Sequence, residues 1–121
     1  MSERHILIVA HDALLRESRQ ALLRSAGYEV TSVDSDELAI TAVDKERFDL
    51  VVIGRTSRLS KAALDRRLRE RHPDIRVLKI VTAEEPYSLF ASRTTDAKPR
   101  HVLTAVGEML FARIAPKSFL Q

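Results

Sequence analysis

The sequence contains no cysteine, only three glycines and no apolar segment long enough to cross a membrane. Without cysteine, the chain has no disulfide framework, no thiolate chemistry and no cysteine-ligated metal. Gly27, Gly54 and Gly107 are too far apart to form a glycine-rich phosphate loop. A membrane helix needs roughly 20 consecutive apolar residues, and the first residues lack the apolar core of a signal peptide. We therefore expect a cytoplasmic protein with no membrane segment.

Length and composition are those of a single globular domain. The chain has 121 residues, of which 45% are hydrophobic and 31% are charged. These values lie in the range of folded proteins and outside that of disordered chains. The sequence shows no internal repeat and no low-complexity segment. Residues 1–121 are therefore predicted to form one domain with a core of ordinary size.

Much of the positive charge that gives the chain its net charge of +3 lies between Arg55 and Arg76. Such a surface can attract nucleic acid or an acidic protein through its electric field. However, no aromatic side chain is interleaved with these arginines to stack on bases, and long basic side chains commonly cover a solvated helix face. We expect a solvated face and no nucleic-acid partner. The alternative that stays open is a nucleic-acid-binding surface made of Arg66, Arg67, Arg69 and Arg71.

Hydrophobic periodicity predicts strands that alternate with helices. The predicted strands lie at residues 6–9, 28–33, 50–53 and 77–81. Asp12 and Ser35 are suited to cap the helices after the first two strands, and Gly27 is placed to end the first helix in a left-handed conformation. Beyond Thr82 the pattern weakens, and we expect a short helix within 84–92 and a short strand at 94–97.

The predicted helices each have an apolar stripe that should face the core. A third helix is expected from about residue 59 to 71, and a clear last helix ends before Pro116. The residues expected to face inward are Leu14, Leu15, Ala21 and Leu22 in the first helix, Leu38, Ala39, Ala42 and Val43 in the second, Ala63, Leu64 and Leu68 in the third, and Val102, Leu103, Val106, Met109 and Leu110 in the last.

Strands separated by helices with short links form a parallel sheet that right-handed crossovers cover on both faces. The expected fold is therefore α/β, a doubly wound parallel sheet in a three-layer α/β/α sandwich. In such sheets, functional groups lie just past the carboxyl ends of the strands. The buried run at 50–53 ends at Gly54, which has no side chain to act as a nucleophile or a metal ligand.

Several short motifs follow one another in an order that is typical of one family. They are Ile6-Leu7-Ile8-Val9, Leu14-Leu15-Arg16-Glu17-Ser18, Ala26-Gly27-Tyr28-Glu29-Val30, the segments 46–51 and 68–75, Val81-Thr82-Ala83 and Lys98-Pro99. By these motifs, which extend over nearly everything from His5 to Ile114, the chain resembles the receiver domain of bacterial two-component response regulators.

The resemblance implies a five-stranded, flavodoxin-like parallel sheet. In the family, an aspartate after the third strand accepts a phosphoryl group from a histidine kinase, and acidic residues after the first strand help to hold Mg²⁺. A threonine or serine ends the fourth strand and a lysine ends the fifth. The metal and the lysine neutralise charge that develops on the transferred oxygens. The resemblance also implies other signalling proteins as partners and a homodimer through the face of the C-terminal helix.

The chain keeps only part of this set. Thr82 and Lys98 match the family's threonine and lysine, whereas Gly54 stands at the phosphoacceptor position. Ala10 and His11 stand where the acidic pair is expected, and they are a poor substitute for the carboxylates that commonly hold Mg²⁺. We therefore expect no catalytic residue, no metal, no cofactor and no phosphorylation.

Two functions stay open on the sequence alone. The first is a phosphorelay signalling domain that is not phosphorylated and binds another protein through a helix face. The second is a sensor of an anion or another small ligand in a charge-inverted pocket. That pocket would contain His11, Arg55, Thr82 and Lys98, with strand-end N–H groups adding to the attraction. We do not expect an enzyme, since no serine or cysteine nucleophile can be placed beside His11.

Overall fold

The computed structural model describes residues 4–54, 63–82 and 90–111. These residues contain five strands and four helices. In chain order the elements are β1 (His5–Val9), α1 (Ala13–Ser25), β2 (Glu29–Val33), α2 (Asp36–Lys45), β3 (Leu50–Ile53), α3 (Leu64–Arg71), β4 (Val77–Ile80), β5 (Arg93–Thr95) and α4 (Pro99–Phe111). None of the helices in these ranges is both long and apolar enough to cross a membrane.

The five strands form one parallel sheet in the order β2-β1-β3-β4-β5. β1 lies in the interior of the sheet, where Val9 is paired with Val33 of β2 on one side and Ile53 of β3 on the other. This register brings the carboxyl ends of the strands to a common edge. The predicted doubly wound, five-stranded parallel sheet is confirmed.

Helices cover both faces of the sheet, which gives the predicted three-layer sandwich. On one face, the apolar residues of the sheet pack with Leu23 of α1 and with Val102, Ala105, Val106 and Leu110 of α4. On the other face, they pack with Ala39 and Val43 of α2 and with Leu64 and Leu68 of α3. The three inner strands β1, β3 and β4 are buried almost throughout, because helices cover both faces of a parallel sheet, whereas the edge strands β2 and β5 are largely exposed or half-buried.

The predicted helix ends are confirmed by their hydrogen bonds. The side chain of Asp12 accepts from the backbone N–H of Leu15 at 3.0 Å, and Ser35 caps α2 in the same way. Gly27 follows α1 with a φ of +98°, the left-handed conformation that favours glycine at this place.

Several boundaries and inward faces differ from the prediction. In α1, Leu14 is 75% exposed, and the buried residues are Arg19 and Leu23. Leu38 of α2 and Ala63, just before α3, are likewise exposed. β5 begins one residue earlier than expected and ends at Thr95. Residues 59–62 and 84–89 of the two predicted helices lie outside the described residues, and residues 90–92 are not helical.

Candidate functional site

The carboxyl edge of the sheet holds the positions that the sequence singled out. Gly54 follows β3, and its backbone N–H donates to the carbonyl of Val9 at 2.9 Å, so the ends of β1 and β3 are joined there. Thr82 lies two residues after β4 and is half-buried. Lys98 precedes α4, and its carbonyl accepts the first helical hydrogen bond, from Val102 at 3.0 Å. Arg55 lies outside the described residues.

The guanidinium of Arg19 fills the volume that a side chain at position 54 would need. A Cβ atom placed on Gly54 would lie 2.5 Å from Nη1 of Arg19 and 3.5 Å from the carbonyl oxygen of Val9. The first distance is far below van der Waals contact, so a side chain at position 54 and the present position of Arg19 exclude each other. Arg19 is only 9% exposed. The space directly beside Gly54 therefore contains the guanidinium of Arg19.

α1 positions Arg19 for this contact. Arg19 and Leu23 are four residues apart and so lie on one face of the helix, which packs on the sheet. Burial lowers the pKa of Arg19 from its ordinary value, and the carboxylate of Asp12 raises it. Because arginine keeps its proton in proteins, a positive charge stands at this edge.

A second buried cation reaches Gly54 from β4. Lys79 is 5% exposed, and its Nζ donates to the carbonyl oxygen of Gly54 at 2.8 Å. Nearby, Nη1 of Arg16 donates to the carbonyl oxygen of Ala10 at 3.0 Å. Cationic side chains of the chain itself thus bind the carbonyl groups that follow β1 and β3.

His11 faces a carboxylate. Its Nε2 lies 3.5 Å from Oδ1 of Asp36, the first residue of α2, and the Asp36 side chain is 8% exposed. Neither carboxylate oxygen of Asp36 has a hydrogen-bond partner among the described residues. The structure therefore brings His11 to an acidic side chain, although the sequence had assigned it to an anion pocket.

Lys98 and its neighbours form the start of α4. The backbone N–H of Lys98 donates to Oδ1 of Asp96 at 3.0 Å, and Nδ1 of His101 lies 2.8 Å from Oδ2 of Asp96. The hydrogen bond with His101, followed by that with the Lys98 backbone, lowers the pKa of Asp96. The Lys98 residue is exposed.

The Mg²⁺ that the family resemblance implies does not fit these residues. Ala10 and Gly54 offer no side-chain ligand, and the Asp12 carboxylate caps α1. The guanidinium of Arg19 lies where a carboxylate would be needed, and Mg²⁺ requires oxygen ligands in near-octahedral geometry. Within residues 4–54, 63–82 and 90–111, no group of three or more histidine or acidic residues is arranged to hold a metal.

The four arginines of the basic segment all have partners within the chain. Arg66 contacts Glu70, Arg67 contacts Glu37 of α2, Arg69 donates to Ser92, and Arg71 contacts Asp44 of α2. Most of these contacts are exposed, as expected for a solvated helix face.

An open polar cleft of about 770 Å³ lies at the opposite edge of the sheet, between the ends of α2 and α3 and the starts of β3 and β4. Asp44 in this cleft accepts hydrogen bonds from Arg71 and lies 2.8 Å from Nε2 of His72. The cleft is thus far from Gly54, and its central charges are paired with one another.

Comparisons with known proteins show the fold. No protein-family model matches the chain, and no curated protein matches it in sequence. Solved structures do match. CheY4 of Vibrio cholerae is 18% identical with a TM-score of 0.78, and the alignment covers 90% of this chain and 100% of that one. The chain has the fold of a CheY-like receiver domain.

Two further structures with the receiver fold are equally similar. A receiver domain protein of Methanospirillum hungatei is 21% identical, with a TM-score of 0.79 over 93% of this chain and 97% of that one. The response regulator TrrA of Thermotoga maritima, solved in complex with Mg²⁺-BeF, is 18% identical. Its TM-score is 0.80 over 88% of this chain and 99% of that one.

Sequence reasoning missed three residues of this edge: Arg19, Lys79 and Asp36. The signal for Lys79 was present, since a lysine interrupts the apolar run 77–81 of a strand predicted to be buried. The signal for Asp36 was weaker, because an acidic residue in the first turn of a helix is usual. For Arg19 no local signal existed, because its burial depends on Gly54, which is distant in sequence.

Proposed function

We propose that the chain is a receiver-fold module of two-component, phosphorelay-type signalling that is not phosphorylated and acts by binding other signalling proteins. The observation that carries this proposal is the position of Arg19, whose Nη1 lies 2.5 Å from where a Cβ of residue 54 would be. A phosphoacceptor needs a nucleophilic side chain with room around it. Here the side chain is absent and a cation stands in its place.

The electrostatics of the edge support the same proposal. Phosphoryl transfer relies on positive charge that stabilises the transferred oxygens, commonly from a metal ion held by carboxylates. In this chain, the positive charges at this edge belong to Arg19 and Lys79. Both side chains are buried, and Lys79 already donates a hydrogen bond to the carbonyl oxygen of Gly54. The Mg²⁺-BeF complex of TrrA is therefore a state that we do not expect this chain to adopt.

The experiment is to incubate the whole chain with a small phosphodonor and Mg²⁺ and to measure its intact mass. We expect no phosphoryl mass to be added. A stable acyl-phosphate adduct would overturn the proposal. Binding to any partner purified with the chain from native extract should be equally tight with and without the phosphodonor, because no covalent state changes.

The proposal also covers the location of the module in the cell, its lack of enzymatic activity and its binding partners. We propose that it works in the bacterial cytoplasm, that it is not an enzyme, that nucleic acid is not its partner, and that it pairs with a second copy through the outer face of α4. The face carries Arg100, Thr104 and Glu108, which are exposed. Light scattering on the purified chain tests the pairing. A monomer at high concentration would contradict it.

A second candidate function is an anion or small-ligand sensor. The observation in its favour is again Arg19, because it is only 9% exposed and places a positive charge at this edge. An oxyanion that took the place of the Asp12 carboxylate beside Arg19 would bind to a fixed positive charge. A phosphate titration followed by the chemical shifts of Arg19, Thr82 and Lys98 tests this function. Unchanged shifts at millimolar phosphate would exclude it.

A further inference from the structure

We draw no further inference here: the strongest candidate, the exposed apolar surface made by Leu14, Leu15 and Leu38 in the first turns of α1 and α2, carries none, because the acidic side chains beside it already have partners within the chain, Asp12 as the cap of α1 and Glu37 with Arg67, and nothing in the described part of the structure shows what covers it.

Discussion

The guanidinium of Arg19 occupies the space that a side chain at position 54 would need. Its Nη1 lies 2.5 Å from the position that a Cβ atom on Gly54 would take. The two residues are 35 positions apart in the sequence and lie on α1 and just after β3. Each therefore has a measurable effect on the other.

Gly54→Ala should destabilise the protein by about 1 kcal/mol, since the new methyl group forces the Arg19 side chain to move. In an Arg19→Ala background the same change should be neutral or stabilising, which gives a coupling energy of about 0.5–3 kcal/mol in a double-mutant cycle. Urea unfolding of the four proteins measures it.

Gly107→Ala is the matched control. The nearest atom to its Cβ is Tyr28 Oη at 4.0 Å, so this helix substitution should stabilise by roughly 0.5–1 kcal/mol. Equal effects of Gly54→Ala in both backgrounds would refute the shared volume.

Gly54→Asp should not restore phosphorylation. The introduced carboxylate would lie beside Arg19 and pair with it, and Ala10 and His11 still provide no acidic metal ligands. Intact-mass measurement after incubation with a phosphodonor and Mg²⁺ should show no adduct. Removing Arg19 should destabilise the Gly54→Asp variant by about 1–3 kcal/mol more than it destabilises the wild type, because a buried carboxylate then loses its partner. An adduct on the single variant would show that Arg19 does not shield this position.

Lys79→Met should destabilise the protein by about 1–3 kcal/mol, because the carbonyl of Gly54 loses its donor while the aliphatic stem is kept. Thermal and urea unfolding measure the change. Lys45→Met serves as the control: Lys45 is exposed in the last turn of α2, and a surface change of this kind usually stays within about 0.5 kcal/mol. If the two variants were equally stable, the hydrogen bond from Lys79 to Gly54 would make no net contribution to the free energy of unfolding.

Asp44 provides a pH-dependent contribution to stability. Hydrogen bonds from Arg71, and secondarily His72, lower the pKa of Asp44 in the folded protein. A carboxyl group with a lowered folded pKa stabilises the fold above its unfolded value, which is about 3.9 for aspartate. That contribution is lost as the pH falls through the folded value.

We therefore expect Asp44→Asn to be less stable than the wild type at neutral pH and to approach it below about pH 4. Denaturant midpoints measured across this range test the sign. Asp74→Asn, at an exposed aspartate two residues before Arg76, serves as the control. A stability difference for Asp44→Asn that grows on acidification would contradict the assignment.

The fold could be predicted from the sequence because its signals are local. Apolar runs marked the central strands, and Asp12 and Ser35 marked the helix starts that the structure confirms. The inward face of α1 was predicted wrongly, because Leu14 and Leu15 outweighed Arg19 in the hydrophobic pattern. Weak composition also placed β5 one residue late.

The site could be predicted only in part, for a physical reason. Gly54 was recognised by its place after a buried strand, and the loss of the acidic pair was visible in Ala10 and His11. The occupant of the resulting space could not be predicted, since a helix pattern treats a single arginine as a surface residue. Which side chain fills a space left by another element depends on the packing of the whole chain, as in the approach of Arg19 to Gly54.

The charge of Arg19 has one property that neither a phosphoryl group nor a metal ion shares. An acyl phosphate is hydrolysed and a bound ion dissociates, so each has a lifetime that a cell can adjust. A guanidinium stays protonated at every physiological pH and is part of the covalent chain. If the edge of this sheet presents a signal, that signal is permanent. The abundance of the protein, through its synthesis and degradation, is then the quantity left to regulate.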